Sequence, residues 1–190
     1  MEIRQNKVIL DGYVNVVERE SRELPSPRGL FREIIVPKTF EKALRNAEDV
    51  ELLFNHDETR KLGSINAGNL KLYEDNIGLR AIATVTDSEV IKKARNNELK
   101  GWSFGFVALQ DSWEEGNDIQ RRYVTEMDLK EVSILDVTPA YIATSVETRG
   151  ESMAIVELRS DDKPFVHVED IEGMEERNYI LNQINTILED

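Results

Sequence analysis

Short runs of β-branched and aromatic residues, separated by turn-forming residues, recur throughout the first 149 positions of this chain. Extended segments spaced in this way are typical of antiparallel sheets, in which hairpins join neighbouring strands. We therefore predict a mainly β fold, a compact antiparallel β-barrel or sandwich with helices around it, and an irregularity at Gly12 in the first strand. The predicted strands cover residues 8–10, 13–17, 31–36, 50–54, 70–73, 77–85, 102–109, 120–124 and 129–137.

Three helices and one loop are expected between and after these strands. Thr39 is the predicted N-cap of the first helix, and Asp87 or Ser88 that of the second. The third helix is predicted over residues 171–188, where apolar residues recur at helical spacing. Two prolines predict a loop at residues 24–29, because proline removes a backbone donor and fixes φ.

Acidic side chains are concentrated near the C-terminal end. The net charge is -13, and residues 150–190, with 11 acidic and 3 basic side chains, contribute -8 of it. A composition shift of this kind predicts a boundary near residue 150. We expect a β-barrel domain over residues 1–149 and an acidic tail over 150–190, whose amphipathic helix at 171–188 packs on the barrel or binds a partner.

Composition also excludes several classes of protein and site. Without cysteine there are no disulfides, thiolate metal sites or cysteine nucleophiles, and two histidines offer little for a metal centre. We predict neither a metal nor a cofactor. The acidic balance disfavours nucleic acid and anionic membranes as partners. No segment is long enough to cross a bilayer or to serve as a secretory signal, so we expect a protein that is not secreted.

His56 follows directly on the apolar run at residues 50–54 and stands between Asn55 and Asp57. It is therefore expected where a strand ends and a polar turn begins. An imidazole at such a point is anchored on a rigid element yet reachable, which suits a proton-transfer residue. The alternative is an ordinary turn made by Asn55 and Asp57, in which His56 has no chemical role.

Ser103 lies in a strand of unusual composition. Alternation places Trp102 and Phe104 on a core face and Ser103 on the opposite face. Gly101 and Gly105 stand two residues to either side, so no neighbouring side chain on that face would crowd an approach to the hydroxyl. This setting suits a nucleophile. The alternative is a solvent-facing serine, with the glycines needed for barrel curvature.

Glu131 shares its strand phase with Leu129, Ser133 and Leu135. A carboxylate on an apolar strand face is costly to desolvate unless another group donates a hydrogen bond to it. An imidazole N–H would be such a donor. The alternative is an edge-strand glutamate, or one paired with a lysine or arginine. Asp136 has the opposite phase and is expected to face water.

Ser103, His56 and Glu131 together form a candidate Ser–His–acid set. A serine hydroxyl becomes a good nucleophile when a base takes its proton, and an imidazole does so when its other nitrogen is held in the right tautomer. Sequence spacing does not establish contact among the three, so at this point they form a hypothesis. Asp57 is the second candidate for the acid. The other histidine, His167, is interpreted as structural or as part of the tail.

These residues lie within an ordered series of motifs that resembles the phage prohead proteases. That family comprises the capsid-maturation serine proteases of tailed phages, which are related in fold to the herpesvirus assemblins. The resemblance extends over about residues 8–148. The motifs that carry it lie at residues 36–40, 54–57, 101–106, 131–135 and 138–141.

The resemblance implies Ser103 as nucleophile, His56 as general base and Glu131 as the orienting acid. It also implies an assemblin-like barrel and a homodimer. The implied substrate is a scaffold protein, or the scaffolding segment of the capsid protein, cleaved inside the assembling prohead in the host cytoplasm. Self-processing is implied as well. One hypothesis for residues 150–190 is a scaffold-binding or packaging segment that self-cleavage removes, and the alternative is a helix that packs back on the barrel.

This chain differs from the assemblins in two ways that affect the transfer of residue roles. Assemblins use histidine as the third triad member, where this chain has Glu131. They also place an arginine pair shortly after that position, whereas residues 138–140 here contain no arginine. The oxyanion donors are therefore unassigned, with backbone N–H groups as the main candidates.

Two rival functions stay open beside the protease. One is a catalytically inactive scaffold or assembly protein on a protease-like fold, although all three triad residue types are present. The other is a carboxylate-based hydrolase acting on sugars. The scattered acids and the few aromatic residues disfavour that second function.

Overall fold

Strands dominate the structure, as the sequence predicts. The computed structural model describes residues 7–26, 29–115, 119–136, 145–146, 155–160 and 166–170. In chain order the elements are β1 (Val8–Val16), β2 (Leu24–Ser26), β3 (Gly29–Ile35), α1 (Thr39–Asn46), β4 (Glu51–Phe54), β5 (Asp57–Ser64), β6 (Leu70–Glu74), β7 (Gly78–Val85), α2 (Ser88–Arg95), β8 (Gly101–Glu114), β9 (Gln120–Leu135), β10 (Ser145–Val146), β11 (Ile155–Ser160) and β12 (Val166–Asp170). The mainly β prediction is confirmed, and the predicted helix at residues 171–188 lies outside the described residues.

The smaller sheet has four antiparallel strands in the order β12, β1, β7, β6. The pairing of β1 with β7 shifts register between Tyr13 and Asn15, close to the irregularity predicted at Gly12. A bulge of this kind bends the strand and increases its local twist. The inward residues of β1 are buried apolar side chains, which fits the alternation expected of a strand with one covered face.

The larger sheet has eight strands and carries the candidate site residues. Its main path is β10, β11, β8, β9, β3, β2, with β4 paired to β9 and β5 paired to β4. Both β3 and β4 run parallel to β9, β3 along its first part and β4 along its last part. The expectation of a wholly antiparallel sheet is therefore wrong at these two contacts. The two sheets are not closed into a barrel by the pairings of the described residues, so barrel closure stays a prediction.

Several segments differ from the sequence-based expectation. The predicted loop at 24–29 contains β2, which pairs with the start of β3. The predicted strands at 120–124 and 129–137 are one continuous strand, β9, because the polar residues between them also pair with β8. β5 was not predicted, since its side chains are mostly polar and none of them is buried.

The core lies against the first part of β8, where the side chains of Trp102, Phe104 and Phe106 are buried as predicted. Phe104 packs edge-on against Phe40 of α1 and stacks with Phe106, each at a ring-centroid distance of 5.3 Å. Such contacts add to the free energy of burying the rings themselves. Ser103 lies between Trp102 and Phe104 and is itself fully buried, which shows that β8 is covered on both faces at this point.

The two described helices begin close to their predicted positions. Asp87 caps α2 by accepting hydrogen bonds from the backbone N–H groups of Glu89 and Val90. For α1 the predicted cap is wrong. The N-cap is Lys38, without a side-chain cap, and the Thr39 hydroxyl donates instead to carbonyls of β9. Neither of these helices, in the part of the chain described, has the length and apolarity needed to cross a membrane.

Two strands that follow residue 150 pair with strands that precede it. β11 is antiparallel to β8, with Ser160 opposite Ser103, and β12 is antiparallel to β1. His167 lies in β12 opposite Asp11, in the smaller sheet and therefore in a different sheet from Ser103. The predicted boundary near residue 150 stays a prediction. β11 follows that boundary in the chain and lies next to Ser103.

Candidate functional site

His56 stands in a two-residue turn between β4 and β5. Phe54 pairs with Asp57, and the intervening Asn55 and His56 have φ values of 56° and 59°. Two successive left-handed residues form the turn type that best matches the twist of a hairpin. This conformation is unfavourable for a histidine, and strain of this kind is concentrated at functional sites. The prediction that His56 follows the end of a strand is confirmed.

The hairpin is attached to β9 by both backbone and side-chain hydrogen bonds. The Asn55 backbone N–H donates to the carbonyl of Ile134 at 2.9 Å, and that of His56 donates to Ser133 Oγ at 3.1 Å. The Asn55 side chain donates to Asp136 at 2.7 Å and accepts from the Asp136 backbone N–H at 3.1 Å. These bonds fix the position of the imidazole relative to β9.

Asp136 is partly buried, with 16% of its side chain exposed, and it contacts Asn55 and Lys93 instead of simply facing water as expected. Burial alone would raise the pKa of its carboxyl, but hydrogen bonds from Lys93 and Asn55 outweigh that effect and hold the pKa below its usual range. The ion pair with Lys93 is 2.9 Å long. Asp136 is therefore ionised at neutral pH and anchors the residue that precedes His56.

Ser103 lies within hydrogen-bond distance of two groups. Its Oγ is 2.7 Å from His56 Nε2 and 2.6 Å from the carbonyl oxygen of Arg159 on β11. A carbonyl only accepts, so the hydroxyl proton can be donated to Arg159 or to a neutral imidazole, but not to both at once. The alternative of a solvent-facing serine is wrong, because Ser103 is fully buried.

Glu131 reaches the other nitrogen of the same ring. Its Oε1 is 2.7 Å from His56 Nδ1, and its Oε2 accepts a hydrogen bond of 2.6 Å from the Ser133 hydroxyl. The Glu131 side chain is buried, and a buried carboxylate needs hydrogen-bond donors. The His56 ring and the Ser133 hydroxyl provide them, as expected from the position of Glu131 on an apolar strand face. The second candidate acid, Asp57, is exposed and accepts from Thr59 instead.

Gly105 provides the space that Glu131 occupies. An added Cβ would lie 2.6 Å from Glu131 Oε1 and 2.9 Å from Leu158 Cδ2, both too close for a normal contact. The expectation that Gly105 leaves an open approach to Ser103 is wrong, since the carboxylate and β11 fill that space. Gly101, with φ at 149°, has a backbone conformation that other residues rarely adopt.

The structure thus brings the three predicted residues into one hydrogen-bonded line, from Ser103 Oγ through the His56 ring to the Glu131 carboxylate. A line of this geometry can move a proton from an alcohol to an imidazole while a carboxylate holds the ring. The prediction did not include Ser133, although it shares the phase of Glu131. Nor did it include Arg159, which no local pattern connects with Ser103.

Comparisons with known proteins point to the same chemistry. Residues 1–159 match the sequence profile of a peptidase family described as caudovirus prohead serine protease. The chain belongs to that family. It is also 26% identical over 151 residues to the prohead protease of Escherichia phage T5, a match that covers 72% of this chain and 69% of the phage protein.

Family membership confirms the resemblance found in the sequence motifs. The prohead protease family acts through serine, which agrees with a buried serine hydroxyl next to an imidazole. The arginine pair of the assemblins would fall at residues 138–140 of this chain, and these residues lie outside the described ones. The protein is thus a serine protease of phage prohead maturation.

Proposed function

We propose that Ser103, His56 and Glu131 are the catalytic triad of this prohead protease. Ser103 Oγ attacks the scissile carbonyl carbon as His56 Nε2 takes its proton. His56 then gives that proton to the leaving amine, and water releases the acyl group from Ser103. Glu131 stays ionised, holds the Nδ1–H tautomer and stabilises the imidazolium.

The observation that carries this proposal is the pair of 2.7 Å contacts on the two nitrogens of one ring. A structural histidine needs only one satisfied nitrogen, whereas a general base needs an alcohol on one side and an orienting acceptor on the other. The left-handed backbone of His56 supports the proposal too, because such a conformation requires support from the residues around it.

The proposed substrate is a scaffold protein or the scaffolding segment of the capsid protein, cleaved inside the assembling prohead in the host cell. We propose self-processing, a homodimer and an assemblin-like barrel on the same grounds, the family resemblance. No nucleic acid, membrane or cofactor enters the proposed reaction. The rival function is an inactive assembly protein on the same fold, and the acidic segment at residues 150–190 favours some binding role in either case.

A serine-directed phosphonate probe tests the nucleophile. Ser103 is buried beneath β11, so the probe reports molecules from which β11 has withdrawn, and labelling is followed over hours. We expect label on the peptide that contains Ser103 in the wild-type protein and none in Ser103→Ala. Label that persists unchanged in Ser103→Ala would exclude Ser103 as the nucleophile.

Glu131→Gln tests the orienting acid. The amide is nearly the same size as the carboxylate, but it can present its NH₂ to the ring and favours the wrong tautomer. We expect a folded protein whose kcat is about 10⁴-fold lower. Turnover close to that of the wild type would place the acid elsewhere.

A further inference from the structure

β11 occupies the position that a peptide substrate needs. It is hydrogen-bonded along β8 as an antiparallel neighbour, with Leu158 opposite Gly105 and Ser160 opposite Ser103. Addition of an extended peptide to a sheet edge is a common way of binding one. The Arg159 carbonyl oxygen is 2.6 Å from Ser103 Oγ, so the peptide bond between Arg159 and Ser160 is the one next to the nucleophile.

The side chain of Arg159 is held by a buried carboxylate of another strand. Glu33 on β3 accepts hydrogen bonds from Arg159 Nε at 2.7 Å and from Nη2 at 3.0 Å, a two-point contact with a guanidinium. The guanidinium also lies 5.5 Å from the centroid of the Phe106 ring. Burial opposes the charge of Arg159, but Glu33 and Glu157 outweigh that effect and raise its pKa.

The charges around this pocket favour a basic occupant. Apart from β11, the described members of the cluster are Glu33, Asp111 and Arg122, and Arg122 pairs with both carboxylates. Glu33 Oε2 accepts hydrogen bonds from both Arg122 and Arg159, and Oε1 accepts from Arg159. A buried carboxylate is costly without donors, so Glu33 favours a guanidinium beside it. Glu157, the acidic residue that β11 brings, pairs with both Arg122 and Arg159.

From this placement we propose that the protease cleaves its own chain between Arg159 and Ser160, and that Glu33 selects a basic side chain on the amino side of the scissile bond. The inference rests on the proposed triad. The inference adds three things to the triad: the identity of one cleaved bond, a specificity-determining residue and a substrate class. That class is extended peptides with arginine before the cleaved bond. β11 is then a substrate segment seated in the site.

The bond changes follow from the triad. The Arg159 peptide plane turns so that its carbonyl carbon faces Ser103 Oγ, and the hydroxyl proton passes to His56 Nε2 as the Oγ–C bond forms. The C–N bond to Ser160 breaks, and His56 gives its proton to the new amino group. Water then hydrolyses the ester, which leaves a carboxylate on Arg159 and restores the Ser103 hydroxyl.

Intact-mass spectrometry of the purified full chain during long incubation tests the cleaved bond. We expect fragments 1–159 and 160–190 from the wild type and neither from Ser103→Ala. Arg159→Lys keeps the cation and is expected to cleave, whereas Arg159→Gln removes the two-point contact and leaves Glu33 with Arg122 as its remaining cation, so it is expected to cleave about 100-fold more slowly. A chain that stays intact, or is cut only elsewhere, overturns the proposed bond.

The specificity is tested separately with two peptides that copy residues 155–164, one natural and one with glutamine at position 159. The ratio of their kcat/KM values is independent of the fraction of active enzyme and of any occlusion by β11. We expect the wild type to prefer arginine about 100-fold and Glu33→Gln to lose nearly all of that preference. Asp111→Asn is the matched control, because Asp111 contacts Arg122 but not Arg159, and it is expected to keep the preference.

The outcomes separate this inference from the proposed triad. Phosphonate label on Ser103, together with equal cleavage of the two peptides and no fragment ending at Arg159, overturns the inference and leaves the triad standing. Loss of the preference in Asp111→Asn to the same extent as in Glu33→Gln also overturns it, since the effect would then be one of general charge. Absence of label, fragments and peptide cleavage contradicts both.

Discussion

Gly105→Ala is expected to impair the protease by moving an atom of the triad. The new methyl group would lie 2.6 Å from Glu131 Oε1, and an ordinary contact begins at 3.4 Å, so the oxygen must retreat by about 0.8 Å. The same oxygen is 2.7 Å from His56 Nδ1. A retreat of that size breaks or greatly weakens this hydrogen bond. The other close atom, at the end of the Leu158 side chain, can turn aside.

Misplacement of a catalytic group by about 1 Å can cost on the order of 100-fold in rate, about 2.7 kcal/mol at 25 °C. We therefore expect Gly105→Ala to lower kcat/KM about 100-fold on a peptide substrate while the protein stays folded. A double-mutant cycle locates the effect, because in a Glu131→Gln background the same methyl group has no carboxylate–imidazole hydrogen bond left to disturb.

Gly63→Ala is the control for crowding alone. Its methyl group would press on the Asn69 side chain, which hydrogen-bonds to Leu62, Ser64 and Thr84 rather than to a triad residue, so it is expected to lower the melting temperature but not kcat/KM per folded molecule. If Gly105→Ala keeps its activity within about threefold, or is equally harmful without the Glu131 carboxylate, the reasoning from this contact is refuted.

Two further predictions concern the residues that hold the hairpin and the acid. Ser133→Ala removes the donor to Glu131 and the acceptor for the His56 N–H, so we expect kcat/KM to fall about tenfold, with recovery in Ser133→Thr. Equal activity of the wild type and Ser133→Ala, measured on one peptide, would contradict this. The depressed pKa of Asp136 implies stability that is present above the unfolded value near 3.9 and lost as pH falls through the folded value. The difference in melting temperature between wild type and Asp136→Asn should thus be complete at pH 7 and shrink progressively as pH falls below about 4, and a difference that does not shrink on acidification would exclude the ion pair with Lys93 as its cause.

Local sequence patterns were sufficient to predict each candidate residue but not their contact. The apolar run before His56 predicts the end of β4, and the phase of Glu131 predicts a carboxylate on a covered face. Their meeting depends on the parallel pairing of β4 with β9, which places Glu51 opposite Glu131. Residues so far apart in the chain are brought together by tertiary structure. The residue periodicity within β4 or β9 does not predict that these two strands pair with each other.

The parts that sequence reasoning missed have similar physical causes. The polar side chains of β5 show no strand periodicity, yet backbone pairing with β4 makes that segment a strand. The cluster around Glu33 joins four strands through side chains that look like ordinary surface charges in the sequence. Burial of such charges becomes evident only when their partners are known.

The hairpin that carries His56 has a consequence for how chains with this site can differ in length. With two residues between Phe54 and Asp57, the imidazole points along the line from Ser103 to Glu131. One residue more or fewer would change the turn type and direct the ring elsewhere. Insertions and deletions that leave proteolysis intact are therefore expected in other connections, and this short loop should tolerate substitutions far better than changes in its number of residues.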